Sequence, residues 1–215
     1  PKPISGINGS GMHTYQSLFK GADNAFYSAD DPFHLSQDAK YFVAGLLKHA
    51  PEITLVTNQW INSYKRLASG YEAPLHLSWA HVNQSDLIRI PSFKTGGENA
   101  VRIEYRAPDP ACNPYLAFSA LMMAGLDGIK NKINPGDAMD QDLFELTTEE
   151  EKMLPTVAPG LDVALEALDK DRDFLKAGGV FTDKMIDSYI GLKYEEVQRL
   201  RQSTHPCEFE MYYSL

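Results

Sequence analysis

The segment that most constrains this chain is Ala-Val-Arg-Ile-Glu-Tyr-Arg, residues 100 to 106. Side chains alternate across a strand, so Val101, Ile103 and Tyr105 share one face and Arg102, Glu104 and Arg106 are forced onto the other. Three charges in a line on one sheet face are either solvated or aimed into a polar cleft. Downstream comes the loop Arg106-Ala-Pro-Asp-Pro, then Asn113 as an N-cap and Pro114 at the first helical position. The helix so opened carries Tyr115, Leu116, Phe118, Leu121, Met122, Met123 and Leu126, apolar nearly all round, and reads as central core. A charged strand beside such a helix predicts an α+β domain with a polar, arginine-lined sheet face.

The flanking sequence adds elements to this frame. Met12 to Phe19 alternates like a strand, with Met12, Thr14 and Leu18 opposite His13, Tyr15 and Ser17, and Asp23 to Pro32 reads as polar turn. Ser36 caps a helix carrying Ala39, Phe42, Val43, Leu46 and Leu47, which the spacing stops at Ala50-Pro51. Arg66 to Pro74 is loop-like; Leu75, Leu77 and Trp79 alternate with His76, Ser78 and Ala80 as in a half-buried strand; Ile88-Arg-Ile is a short strand ended by Pro91. Residues 1 to 133 thus hold the strands and core helix. Residues 134 to 215 hold an acidic stretch, read as exposed linker to Pro159, then helices from about Gly160 to Leu168 and Asp183 to Gln202 and an aromatic tail. Thr182 caps the last helix, with Ile186, Tyr189, Ile190, Val197 and Leu200 inward. The tail from His205 is expected to dock, on the rest of the chain or on a neighbouring subunit. The chain opens Pro-Lys-Pro-Ile and reaches a Gly-rich motif within ten residues, which reads as entry into a domain midway.

The charge balance is 20 Lys+Arg against 29 Asp+Glu, a net of −9. That argues against non-specific binding to nucleic acid or to an anionic membrane, both of which need a cationic surplus. The longest apolar run, Tyr115 to Leu126, falls short of the roughly 20 residues that span a bilayer, so a cytoplasmic protein is expected. Two distant cysteines, Cys112 and Cys207, show no ligand spacing and are expected as reduced thiols.

In so acidic a chain the arginines near strands and glycine loops stand out: Arg66, Arg89, Arg102 and Arg106. Guanidinium forks fit carboxylate and phosphate ligands. Glu104, flanked by Arg102 and Arg106, suits a divalent ion or, equally, a structural ion-pair ladder. His13, directly after mobile glycines, suits a metal or phosphate site, although a lone imidazole more often serves as ordinary structure. Glu72, in Gly70-Tyr-Glu-Ala-Pro74, sits where a loop could close over a cleft with a general base, or simply lie exposed. A carboxylate with converging arginines is what phosphoryl transfer requires, since its catalysis is mostly positioning and charge neutralisation.

Six motifs in order resemble those of bacterial (type I) glutamine synthetase: Asn8-Gly-Ser-Gly-Met-His13, Asn62-Ser-Tyr-Lys-Arg-Leu67, Gly70-Tyr-Glu-Ala-Pro74, Ile88-Arg-Ile-Pro91, Arg102-Ile-Glu-Tyr-Arg106, and Pro108-Asp-Pro with Asn113-Pro-Tyr-Leu116. The likeness spans the whole chain and implies the C-terminal part of the catalytic domain, without the family's N-terminal β-grasp domain. It implies ATP-dependent ligation of ammonia to L-glutamate through a γ-glutamyl phosphate, with Mg2+ or Mn2+ as cofactor, by a ring-forming homo-oligomer, a dodecamer of two hexamers. The fragment alone is expected to be inactive.

Residue by residue, the resemblance assigns His13 and Glu104 to the metal and Asn8, Gly9, Arg66 and Arg106 to glutamate or the transferring phosphoryl group. Glu72 becomes the flap carboxylate that takes a proton from ammonium. Tyr15, Ser17, Arg89 and Arg102 fall to ATP. The chain departs from the pattern at Gln84, where the family has an arginine, and at Asn99, nearest to a family lysine for which Lys94 is the other candidate. Gln84 keeps open a γ-glutamyl ligase for another amine; a non-catalytic ring-former is the third reading. Phe144 stands where the proteobacterial form has an adenylylated tyrosine, so no adenylylation is expected there.

Overall fold

The computed structural model describes residues 1–68, 73–92, 97–141, 143–206 and 211, with the backbone alone at 144, 148 and 151. In chain order the elements are β1 (Thr14–Gln16), β2 (Phe19–Lys20), β3 (Asp23–Asn24), α1 (Gln37–Lys48), α2 (Ala50–Thr57), α3 (Ile61–Arg66), β4 (Trp79–Ala80), β5 (Ile88–Arg89), β6 (Ile103–Tyr105), α4 (Pro114–Asn131), α5 (Thr148–Glu151), α6 (Leu161–Lys170), α7 (Asp173–Lys176) and α8 (Asp183–Gln202). The main sheet runs β1-β6-β5-β4. Its first three strands are antiparallel, and β4 lies parallel to β5. A mixed α/β fold with a small sheet under packed helices results.

Register does the organising. Thr14 faces Tyr105, which faces Ile88, and the next row along the strands is Tyr15, Glu104 and Arg89. Because side chains alternate, these two rows point to opposite faces. Tyr105 and Ile88 are wholly buried in the core, with Thr14 beside them. The charged row forms the other face. The alternation expected for residues 100–106 therefore holds, although the strand itself is short and follows a 3₁₀ turn at Glu98–Ala100.

The helical layer is built on the crossing of α1 and α4. A methyl group at Gly128 would stand 2.1 Å from the Tyr41 carbonyl oxygen and 2.6 Å from the Gly45 nitrogen, so the two backbones touch. Phe42 fills the space over Gly125 and packs on Phe26 at 5.2 Å between ring centres. The caps expected from the sequence are present. Ser36 accepts from the Ala39 N–H at 3.1 Å, Asn113 from Tyr115 at 3.0 Å, and Thr182 from Met185 at 3.2 Å.

Several expectations need correction. Ala50-Pro51 does not merely stop α1; it starts α2, since Pro in a first turn gives up an N–H that has no partner there anyway. Asp23 to Pro32 is not all turn, because β3 pairs with β2. Arg66 closes α3 rather than opening a loop. Across residues 75–80 it is the polar His76 and Ser78 that are buried, while Leu75 and Leu77 are only partly so. Nor is α4 buried all round: Ala117, Ala120, Leu121 and Ala124 face the core, whereas Tyr115 is 84% and Phe118 54% exposed. The 134–159 stretch is no free linker. Met139 donates to the Trp79 carbonyl and Val157 to that of Leu75, and Leu143 and Val157 are buried. On α8, Ile186 and Val197 point inward but Leu200 is 46% exposed. The tail at 207–210 and 212–215, with Cys207, lies outside the described residues.

Candidate active site

Glu104 is the centre of the charged face. It is 2% exposed, and both carboxylate oxygens are engaged. Oε1 is 3.0 Å from His13 Nδ1 and accepts from the Tyr15 hydroxyl at 3.2 Å; Oε2 accepts from Arg89 Nε at 2.5 Å. Tyr15 and Arg89 are its register partners on the two neighbouring strands, so pairing alone assembles the row. Burial pushes the Glu104 carboxyl up, but the hydrogen bonds from His13 and Arg89 and the Arg89 charge outweigh it and hold it at about 2. It is therefore ionised at any physiological pH. Arg102, one face-step away, lies over the Tyr15 ring at 4.9 Å.

A second cluster adjoins it. Arg66, 5% exposed, donates from Nη1 to the carbonyls of Ala107 at 2.5 Å and Pro108 at 3.2 Å, and from Nη2 to that of Arg106 at 3.0 Å. Burial lowers its pKa to about 10, with Asp109 opposing and Arg106 adding, so the cation persists at neutral pH. Arg106, also 5% exposed, donates from Nη1 to the Asp86 carbonyl at 3.2 Å; burial lowers it too, against the pull of Glu104. The Gly-rich segment lies across Arg66. A methyl at Gly11 would stand 2.7 Å from Arg66 Nη2 and 3.1 Å from His13 Nε2, so imidazole and guanidinium converge on one point that only glycine leaves open. The same segment is tied down by the Met12 N–H donating to the Pro108 carbonyl at 2.8 Å.

The structure thus joins His13, Tyr15, Arg89, Arg102 and Glu104 in one cluster and sets Arg66 and Arg106 beside it. Asn8 and Ser17 are exposed and make no contact with that cluster among those described, and Gly9 lies on the Arg66 stem. Glu72 and Lys94 lie outside the described residues; Asn99 and Gln84 are exposed. An ionised carboxylate beside an imidazole is a donor set suited to a divalent cation. It is an incomplete one, because no group of three or more His, Cys, Asp or Glu that could hold a metal occurs among the described residues. Sequence reasoning missed Asn58 and Asp86, both wholly buried against this region. Asp86 is pushed up to about 6 by burial. The nearest signal for either was a polar residue at the edge of an apolar run.

The family model for the glutamine synthetase catalytic domain matches residues 1–212. The chain belongs to that family. It is 56% identical over all 215 residues to a protein named glutamine synthetase from Methylococcus capsulatus and 55% identical to that of Escherichia coli, covering 45% of each. A solved structure of the Plasmodium falciparum glutamine synthetase superimposes with a TM-score of 0.87 at 30% identity, over 99% of this chain and 49% of that one. The chain therefore spans less than half the length of the curated relatives it matches. The alternation that gathers this charge on one strand face is the same alternation found in the sequence. Among the described residues no helix is long and apolar enough to cross a membrane. Cys112 is buried and free, and burial pushes its thiol up to about 11.

Proposed function

We propose that this chain is the C-terminal part of an enzyme that joins ammonia to L-glutamate at the expense of ATP, by way of γ-glutamyl phosphate. The observation that carries the reading is the row Tyr15, Glu104 and Arg89 with His13 at its edge: a buried anion ringed by donors beside two further buried cations. Family membership supplies the reaction class. Such an array suits a substrate that brings phosphates, a carboxylate and a divalent ion together.

On this reading His13 and Glu104 hold a divalent cation, Mg2+ or Mn2+, which screens the nucleotide phosphates when bound. Arg89 and Arg102 engage the ATP phosphates, and Tyr15 and Ser17 flank the nucleoside. Asn8, Gly9, Arg66 and Arg106 orient glutamate so that a γ-carboxylate oxygen attacks the terminal phosphorus and ADP departs. Glu72 takes a proton from ammonium. The resulting ammonia adds to the acyl carbon, the C–O bond to phosphate breaks, and glutamine and phosphate leave. Arg66 and Arg106 stay cationic throughout, and burial strengthens their hold on developing negative charge.

On the same reading residues 1–133 hold the active-site strands and core helix, and 134–215 an acidic loop, helices and a docking tail. The working form is a cytoplasmic homo-oligomer, a dodecamer with the tail docked across rings, and no nucleic acid takes part. The test is phosphate release from Mg-ATP by the full-length protein. Release that requires both glutamate and ammonium supports the reading. Release with glutamate and a different amine, but not ammonium, would move the acceptor and point to Gln84.

A further inference from the structure

Every hydrogen bond described for the Arg66 guanidinium ends on the turn at 106–108, so whatever holds that turn aims Arg66. The helix α2 stops at Thr57, and Asn58 leaves helical geometry at φ −137°, ψ 65°. Its side chain, wholly buried, lies against the turn. Nδ2 donates to the Ala107 carbonyl and to Asp109 Oδ2, each at 2.9 Å, while Oδ1 accepts from the Thr57 hydroxyl at 2.8 Å. A carbonyl and a carboxylate can only accept, so the amide has one possible orientation.

The Ala107 oxygen is shared. It takes Asn58 Nδ2 on one side and Arg66 Nη1 at 2.5 Å on the other, one bond for each lone pair. The turn is pinned further where Asp109 N–H donates to the Thr57 carbonyl at 3.3 Å and Asp109 Oδ1 accepts from the Ala111 N–H at 3.0 Å. The Met12 N–H hooks the Gly-rich segment onto the same turn through Pro108. Movement of the turn would shift Arg66 and Gly9–Gly11 together.

We propose that Asn58 is a positioning residue for substrate binding, fixing the Ala107 carbonyl and through it the direction of the Arg66 guanidinium. This rests on the reading of Arg66 as a glutamate-holding group. It separates from a merely structural role because Asn58 makes two distinct bonds, one to Asp109 that braces the loop and one to Ala107 that aims Arg66. A variant can restore the first without the second. In N58D the new carboxylate meets the Asp109 carboxylate and the Ala107 carbonyl with no donor. In N58D/D109N the amide of residue 109 donates back to residue 58, the pair again holds one negative charge, and Ala107 still lacks its partner.

The experiment uses full-length protein and three readouts: melting temperature, glutamate KM in Mg-ATP-dependent phosphate release, and the Arg66 position in a cryo-EM structure. The expected result for N58D/D109N is a melting temperature close to the parent, a glutamate KM raised on the order of tenfold, and Arg66 displaced from Ala107. N58S, too short to reach either acceptor and free of added charge, is expected to raise the same KM. Return of both stability and glutamate KM to parental values in the double variant, or parental glutamate KM in N58S, overturns the proposal. If the parent shows no glutamate-dependent release, the assignment of Arg66 to glutamate fails. The Arg66 position in N58S then decides by itself whether Asn58 aims that side chain.

Discussion

Replacing Glu104 by glutamine keeps the shape of the side chain and removes its charge, which isolates what that charge contributes. The carboxyl is held at about 2 against an ordinary 4.5, some 2.5 units. At about 1.4 kcal/mol per unit this corresponds to about 3 kcal/mol favouring the ionised form, which agrees with the cost of orphaning one partner of a buried ion pair. The amide recovers part of this by accepting one hydrogen bond, yet it also turns an NH2 group toward donors on His13, Tyr15 or Arg89. A loss near 3 kcal/mol at pH 7 is therefore expected in denaturant-induced unfolding of the full-length protein. The pH dependence gives a second handle. A depressed carboxyl stabilises fully above the unfolded value of 4.5 and loses that contribution as pH falls toward 2. The difference between parent and E104Q must therefore shrink as the pH is lowered from 5 toward 3. A variant as stable as the parent at pH 7, or a difference that does not change with pH, would refute the view of Glu104 as a charge held by its neighbours.

Glu52 should behave in the opposite sense. Burial, with Asp171 adding, pushes it up to about 7, and among the described residues its Oε2 has no hydrogen-bond partner, lying 4.0 Å from His49 Nδ1. The folded state then keeps a proton that the unfolded chain gives up above pH 4.5, so stability declines from there to about pH 7. E52Q is expected to be more stable to denaturant than the parent above pH 7, by on the order of 2 kcal/mol, with the gain vanishing near pH 4.5. At the helix crossing, G128A gains about 1 kcal/mol of helix propensity but drives a methyl into backbone atoms 2.1 to 2.7 Å away, so a melting temperature lowered by several degrees is expected and an unchanged one would contradict the contact. R66K replaces a fork bonded to three carbonyls with a point charge, and should raise the glutamate KM more than the ATP KM in steady-state assays.

The charged strand was legible because period two is a strict rule: with Val101, Ile103 and Tyr105 on the core face, Glu104 had to face the cleft. Its partners Tyr15 and Arg89 could be nominated from the sequence, but their row could not, since register between distant strands leaves no local trace. Capping residues announced three helix starts for a local reason, the orphan N–H groups of the first turn. Pro51 misled because the residue that ends one helix also suits the first turn of the next. The exposed face of α4 was misread because apolar residues around a helix mark burial against something, and they do not say what. Arg66 looked like a loop cation. Its burial under Gly9–Gly11 and its hold on the 106–108 turn arise from tertiary contacts that bring together residues some forty positions apart. Asn58 was invisible for the same reason.

The most direct test of the central claim follows an oxygen atom. The full-length protein is given Mg-ATP, ammonium and glutamate labelled with 18O in its γ-carboxylate, and the inorganic phosphate and glutamine are analysed by mass spectrometry. If the γ-carboxylate attacks the terminal phosphorus and ammonia then displaces phosphate, each phosphate formed carries one 18O and appears in step with one glutamine. Glutamine formed with unlabelled phosphate, or phosphate released without glutamine when ammonium is present, would contradict the acyl-phosphate route and, with it, the roles of Arg66, Arg89 and Glu104 in that route.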